Sequence, residues 1–227
     1  MDFNKFLAEN SSHPKKIIAP QIHFDAYVSV DLSATHLLLN KVNVESSTSL
    51  ALYINHYLIF HSKQVAYGGY LEQRSLYNRS HHFHQNKEFQ RNIHLGIDLW
   101  CVANTPVLAA FDGTIHSFKN NSNFGDYGPT IILEHCIDGV EFFTLYGHLS
   151  QNSIENLKVG AEVKAGEIIG YLGAAEVNGD YPPHLHFQII KDLQGNFGDY
   201  PGVCNVNEID FYKENCPDPN LILKLEE

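Results

Sequence analysis

Basic residues are scarce in this chain. Against 26 Asp and Glu stand only 15 Lys and Arg, a formal charge of -11 over 227 residues with histidine neutral. That balance argues against nucleic acid, which selects clustered Lys and Arg, and against attachment to anionic lipid or acidic wall polymers. No run of about 18 apolar residues is present, so no membrane-spanning helix and no membrane insertion are expected. The four cysteines, Cys101, Cys136, Cys204 and Cys216, form no C-x-x-C pair. A cysteine zinc site is thereby disfavoured and reduced thiols are predicted, with a Cys204–Cys216 bridge left open by spacing alone. The opening "MDFNKFLAENSSHPKK" has no basic start followed by an apolar stretch, as a secretory leader would. With Met1 as the natural start, the expectation is the cytoplasm. H-E-x-x-H, G-x-S-x-G and the phosphate-binding G-x-x-x-x-G-K are all missing, which removes support for thermolysin-like, serine-hydrolase and P-loop readings.

What the chain does have is histidine, fourteen in all, on a background of 44% apolar residues. Its length suits one large domain or a domain with an extension. Residues 1–89 read as an N-terminal extension with one or two helices, 90–200 as the core, and 201–227 as an irregular tail packed on it. Within the extension, "FDAYVSVDLS" is strand-like. Residues 48–65 read as a helix at their widest, because Leu50, Ile54, Tyr57, Leu58 and His61 fall near one face. Ser47 or Thr48 would cap it and Gly68–Gly69 would lie just past its end. "YLEQRSLYNRS" predicts a shorter helix and "HHFHQNKEFQ" a polar loop. From residue 92 the texture changes to short β-rich runs punctuated by Gly, Asn and Asp, such as "PTIILEH", "EFFTLYGHL" and "HLHFQII". This predicts a mainly β, antiparallel, sandwich- or barrel-like core. His116 and His135 sit in such runs without an obvious polar partner and read as structural or surface residues.

Three segments carry chemistry. In "RNIHLGIDLW", Ile93, Leu95, Ile97 and Leu99 alternate with His94, Gly96 and Asp98, so His94 and Asp98 share the non-core face. Four residues of straight strand span about 13 Å, too far for one ion, and Gly96 is where the backbone could bend. In "PPHLHFQII", Leu185, Phe187 and Ile189 take one face while His184, His186 and Gln188 take the other. "TLYGHLS" offers Tyr146 and His148 on one strand face. Singly, each segment also fits a surface strand or a pair of structural histidines. Together they offer two imidazoles and a carboxylate for Zn²⁺, a fourth position for water made more acidic by the ion, and two further histidines to move protons.

"HLGIDL", "LYGHLS" and "PPHLHFQI", in that order, resemble the motifs of the lysostaphin-type (LytM-like) zinc endopeptidases, with likeness over about residues 92–191. The resemblance implies one Zn²⁺ per chain held by His94, Asp98 and His186. It makes His148 and His184 the catalytic pair that does not bind the metal, without deciding which takes the first proton. It also implies a peptide substrate of the peptidoglycan type and, if Met1 is not the natural start, a periplasmic or extracellular site. "YGGYLEQRSLYNRS", "GDYPGVC" and "CPDPNLIL" are similar to a subgroup found as the middle module of fusions with a kinase and a class III aminotransferase. That likeness implies instead a small amide or peptide substrate in amine metabolism. A non-catalytic binding module is the remaining alternative. Arg74 and Arg79 are candidates for holding a substrate carboxylate through a two-pronged guanidinium, and Tyr146 for lining the substrate site. The sequence leaves the oligomeric state open.

Overall fold

Alternation of apolar and polar residues from residue 92 onward builds strands, and the turn residues set where they end. The computed structural model describes residues 2–79 and 90–226, apart from the side chains of residues 40, 78 and 79. The elements run α1 (Phe3–Glu9), β1 (Tyr27–Ser29), α2 (Ser47–His61), β2 (Val65–Gly68), β3 (Ile93–His94), β4 (Ile97–Trp100), β5 (Pro106–Leu108) and β6 (Gly113–Asn121). They continue with β7 (Gly128–Ile137), β8 (Val140–Gly147), β9 (Glu162–Val163), β10 (Ile168–Tyr171), β11 (His184–Ile190), β12 (Val203–Cys204), α3 (Ile209–Asn215) and α4 (Asn220–Leu223). The fold is mainly β. One eight-stranded sheet has the order β1-β2-β4-β11-β8-β7-β6-β9, antiparallel except for the β1–β2 pair. Two small sheets, β10–β5 and β12–β3, complete it.

The β7–β8 hairpin shows how local sequence sets register. Asp138 and Gly139 both have positive φ (51° and 78°), as a two-residue turn with the twist of its flanking strands requires. Ile137 then faces Val140, and the register holds to Ile131 opposite Tyr146. One face of the large sheet, with Ile131, Leu133, Phe142, Tyr146, Leu185 and Phe187, is buried against β5, β10, α1 and α4. Helix α1 contributes Phe6 and Leu7 and α4 contributes Ile222 and Leu223, so both ends of the chain close the same core. The opposite face buries a second apolar cluster with Ile132, Leu145 and Ile190, beside the polar residues of β4 and β11.

Outside the core, the chain departs from its expected form in three places. Helix α2 starts from a Ser46 cap, whose Oγ accepts from the Ser49 N–H at 3.3 Å, and ends at Ser62 in the left-handed region, φ 55°. Residues 62–65 are therefore not helix, and β2 pairs with β1 and β4, so the extension and the core share one sheet. The stretch predicted as a second helix is instead a turn at Tyr70–Leu71, a single bridge from Gln73 to Ile93 and a 3-10 turn at Leu76–Arg79. Its backbone is claimed from outside, because the N–H groups of Leu71 and Arg74 bond to the carbonyls of His94 and Asn92. The expected polar loop at 81–90 lies outside the described residues except for Gln90. The tail is helical rather than irregular. Asp218 accepts from the Asn220 N–H at 2.8 Å, so Pro217 and Pro219 precede a helix start instead of preventing one.

His135 is fully buried between Phe111 and Phe142. Its Nδ1 bonds the Asp112 carbonyl at 2.8 Å, and its Nε2 accepts from the Thr144 hydroxyl at 2.7 Å. Burial pushes its pKa from 6.5 down to about 4. The native state thus rejects a proton that the unfolded chain accepts, so stability is complete above the unfolded value and is lost as pH falls from there towards about 4. Between about pH 7 and about pH 5 this one group should cost about 2 kcal/mol. Urea unfolding of the native chain and of His135→Gln at both pH values should show a steeper acid loss for the native chain. Equal losses in the two proteins would show that His135 does not carry the effect.

Candidate metal centre and active site

The continuous alternation from Ile93 to Trp100 is cut in space after His94. Strand β3 pairs with β12, whereas β4 pairs with β11 and β2. The change of sheet occurs at Leu95–Gly96, and it requires glycine. A Cβ on Gly96 would stand 2.5 Å from the Phe187 carbonyl oxygen and 2.9 Å from Cε1 and Nε2 of His186. The bend folds His94 back over Asp98, so His94 Nε2 lies 3.2 Å from Asp98 Oδ1. His186 is the cross-strand partner of Asp98 on β11, and its Nδ1 lies 3.2 Å from the same oxygen. His94 Nε2 and His186 Nδ1 are 2.8 Å apart.

Second partners fix what those three atoms present. His94 Nδ1 lies 2.9 Å from the Gly69 carbonyl oxygen, which can only accept, so the ring proton sits on Nδ1. Gln188 Nε2 donates to the Pro201 carbonyl and to Cys216 Sγ, both at 3.2 Å, which leaves Gln188 Oε1 to accept from His186 Nε2 at 3.0 Å. In both rings the nitrogen turned to the centre is therefore unprotonated. Three lone pairs converge with no hydrogen between them, an arrangement that calls for a cation. Tetrahedral Zn²⁺ at about 2.0–2.1 Å from each donor would set them about 3.3–3.4 Å apart. The triangle found here is slightly tighter, and all three residues are buried. The donor set and its spacing fit a Zn²⁺ site.

Electrostatics agree with neutral imidazoles around one carboxylate. Burial pushes His94 down to about 4, more than the pull of Asp98 restores. For Asp98 burial acts the other way, yet the Arg74 guanidinium bonded to Oδ2 outweighs it and holds the carboxyl well below the usual carboxylate range. Arg74 is itself buried. Glu72 and Asp98 overcome its desolvation and keep it cationic.

His184 and His148 adjoin this triangle, their ring centroids 4.2 Å apart. Each uses Nδ1 on a backbone carbonyl at 2.7 Å, Pro182 for His184 and Asn178 for His148, so each turns an unprotonated Nε2 elsewhere. His184 Nε2 comes within 3.8 Å of Asp98 Oδ1, and its ring stacks on Trp100. Burial pushes both histidines down from their ordinary value. His148 adopts φ 63°, a left-handed conformation uncommon for a side chain of this size. That turn corrects the expectation for "TLYGHLS". Strand β8 ends at Gly147, so Tyr146 and His148 do not share a face. Tyr146 is fully buried in the core, where its hydroxyl accepts from the Ala110 N–H at 2.9 Å. It does not wall the cleft.

A cavity of about 310 Å³ opens over the five residues. Arg74 lines it, with Nε donating to Glu72 and Nη1 to Asp98 Oδ2, so two of its donors are already engaged inside the protein. The side chain of Arg79 lies outside the described residues. Tyr127, Tyr181 and Trp100 also line the cavity. The Tyr127 ring packs on His148 and His186, and its hydroxyl stands 3.5 Å from His186 Nε2. Sequence reasoning did not select these residues. For Tyr127 the only local signal was an aromatic residue between two glycines in "GDYGP".

Residues 92–197 match the family model for Peptidase family M23. Glycyl-glycine endopeptidase ALE-1 of Staphylococcus capitis is 38% identical over 103 residues, which take in 45% of this chain and 26% of that protein. Lysostaphin of Staphylococcus staphylolyticus is 41% identical over 104 residues, 46% of this chain and 20% of that protein. Peptidoglycan DD-endopeptidase ShyC of Vibrio cholerae is 32% identical over 44% of this chain and 21% of its own length. The chain thus spans about a quarter or less of these curated relatives. Among solved structures, the catalytic domain of lysostaphin from Staphylococcus simulans is 27% identical, covering 72% of this chain and 97% of that one, with a TM-score of 0.40. All five histidine and aspartate residues of the centre fall inside the segment that matches this family model.

Ion binding to this centre should be measurable as stability. Titration of metal-free protein with Zn²⁺ should saturate at one ion per chain. At a free concentration about a hundredfold above Kd it should stabilise the fold by about 2.7 kcal/mol. His94→Ala and Asp98→Ala should lose most of that gain in a thermal melt. A gain of equal size in either variant would place the ion elsewhere.

Proposed function

We propose that the chain is a zinc-dependent peptidase that hydrolyses a peptide bond, with His94, Asp98 and His186 holding the ion and His148 and His184 moving the proton. The observation that carries this is the convergence of three unprotonated donor atoms beside two further neutral imidazoles, all at one cavity. A bound Zn²⁺ would polarise the scissile carbonyl and make a water more acidic.

The remaining work falls to the side chains. Gly69 and Gln188 keep the ring protons of His94 and His186 away from the centre. The carbonyls of Pro182 and Asn178 do the same for His184 and His148, so both Nε2 atoms are ready to accept. As the water oxygen bonds to the carbonyl carbon, its proton passes to one Nε2 of this pair. As the C–N bond breaks, that proton passes to the leaving nitrogen. Because burial keeps both rings neutral before reaction, the pair starts as a base and becomes an acid only after receiving the proton.

By the names of the relatives, a glycine-rich or peptidoglycan-type peptide is the first candidate substrate. A second reading, hydrolysis of a short peptide or small amide, is favoured by the cavity itself. Leu50, Leu76 and Tyr77 from ahead of the family-matched segment and Val203 from beyond it stand in its wall. At about 310 Å³ it is at the small end of ligand pockets. The likeness of "YGGYLEQRSLYNRS" to the fusion-borne subgroup supports the same reading.

Zn²⁺-loaded protein should be incubated with purified peptidoglycan and with a library of short peptides, and products identified by mass spectrometry. Cleavage of at least one substrate is expected, and His148→Ala and His184→Ala should each lower turnover about 10²- to 10⁴-fold while retaining zinc. No product from either substrate class, or undiminished turnover in both variants, would overturn the assignment.

A further inference from the structure

The second oxygen of Asp98 is held by a residue from outside the family-matched segment. Oδ1 faces the two imidazole nitrogens, at 3.2 Å from each. Oδ2 accepts from Arg74 Nη1. The guanidinium is held in turn. Its Nε donates to Glu72 Oε2, and the other oxygen of Glu72 accepts from the Leu32 N–H at 2.9 Å. Its Cζ lies over the Trp100 ring, 5.5 Å from the ring centre. Nη2 lies against Gly69, where a Cβ would come within 1.8 Å of it. Gly69 therefore has two tasks at once: its missing side chain makes room for the guanidinium, and its carbonyl fixes the His94 tautomer. Backbone bonds lock the same segment onto the metal strand, since the His94 N–H donates to the Glu72 carbonyl and the Arg74 N–H to the Asn92 carbonyl.

From this geometry we propose that Arg74 is a positioning residue that restricts Asp98 to one coordinating oxygen, so that the segment Gly69–Arg74 completes the metal site. The inference rests on the zinc-peptidase reading above. A free carboxylate can bind a divalent ion through both oxygens and so take up a position needed by water or substrate. A charge-assisted bond from a planar cation, itself held by Glu72, keeps Oδ2 turned away. With two carboxylates and one guanidinium the buried group carries one net negative charge, which a divalent ion reverses to one positive. Arg74 thereby leaves the ion more electrophilic than two unopposed carboxylates would.

The full chain should be prepared metal-free as the native protein, as Glu72→Gln/Arg74→Met, which removes both members of the ion pair together, and as Arg74→Lys. Circular dichroism checks the fold. Zn²⁺ affinity is measured by competition with a chromophoric chelator, and coordination by the visible absorption of bound Co²⁺, which is intense for four ligands and weak for more. In the double variant Zn²⁺ affinity should fall about 10- to 100-fold and the Co²⁺ band should weaken as the second oxygen swings in. Arg74→Lys keeps the cation but cannot hold both carboxylates from one rigid plane. It should fold, recover part of the affinity and show an intermediate band. If the double variant does not fold, Arg74→Lys decides by the same band. Native-like affinity and spectrum in the folded variants would overturn the positioning role while leaving the metal site standing. A native chain that binds neither ion at one per chain would overturn both.

Discussion

At Gly96 the backbone passes β11 so closely that no side chain fits between them. Much of the site follows from that contact. It lets the chain pair with β12 at His94 and then join the large sheet just before Asp98, so two residues four apart on one strand face meet across 3.2 Å. The same approach brings the bend against the His186 ring, the third corner of the triangle. A larger residue at 96 would have to move either the Phe187 carbonyl, which belongs to the sheet, or His186 itself. The site is thus built where strand pairing changes sheets, held by rigid hydrogen-bonded strands rather than by a free loop.

Around the bend lies a shell of partners that decides protonation rather than position alone. Four imidazoles surround one carboxylate, and four carbonyl-type oxygens, from Gly69, Gln188, Pro182 and Asn178, each take one ring proton. A buried ring with its second nitrogen unpaired could adopt either tautomer, and the lone pairs would then not be aimed. Burial lowers the basicity of His94, His148 and His184, so they present lone pairs rather than charge. The buried cation Arg74 lies on the far oxygen of Asp98 and not among the rings.

The family-matched segment holds the reacting groups, while the chain around it shapes what reaches them. Strand β2 extends the large sheet from β4 and is parallel to β1, so the N-terminal extension continues the same hydrogen-bonded surface. Helix α2 packs Leu50 and Ile54 against Trp100, the residue on which His184 stacks. That packing links helix placement to the orientation of one of the proposed proton carriers. At the other side, Tyr70 donates to the Cys216 carbonyl and Gln188 to Cys216 Sγ, so the C-terminal region supports the His186 partner as well.

Much of this was legible in the amino-acid order, because strand alternation is a local rule. The apolar rows of β4 and β11 announced which face would be buried, and so placed His94, Asp98, His184 and His186 on the other. Gly96 was legible as a bend, and Asp138–Gly139 separates two strand-like runs. The tertiary structure decided the rest. A positive φ at His148 ended the alternation that would have put Tyr146 in the cleft. "YLEQR" carries polar and apolar residues compatible with a helix, but its backbone bonds go to residues about twenty positions away, which no local window contains. Arg74 likewise read as a donor awaiting a substrate, and only the fold showed two carboxylates already occupying it. Periodicity fixes the side of a strand from which a residue projects. The partner it meets there depends on which distant strands become neighbours, and that is set by the packing of the whole chain.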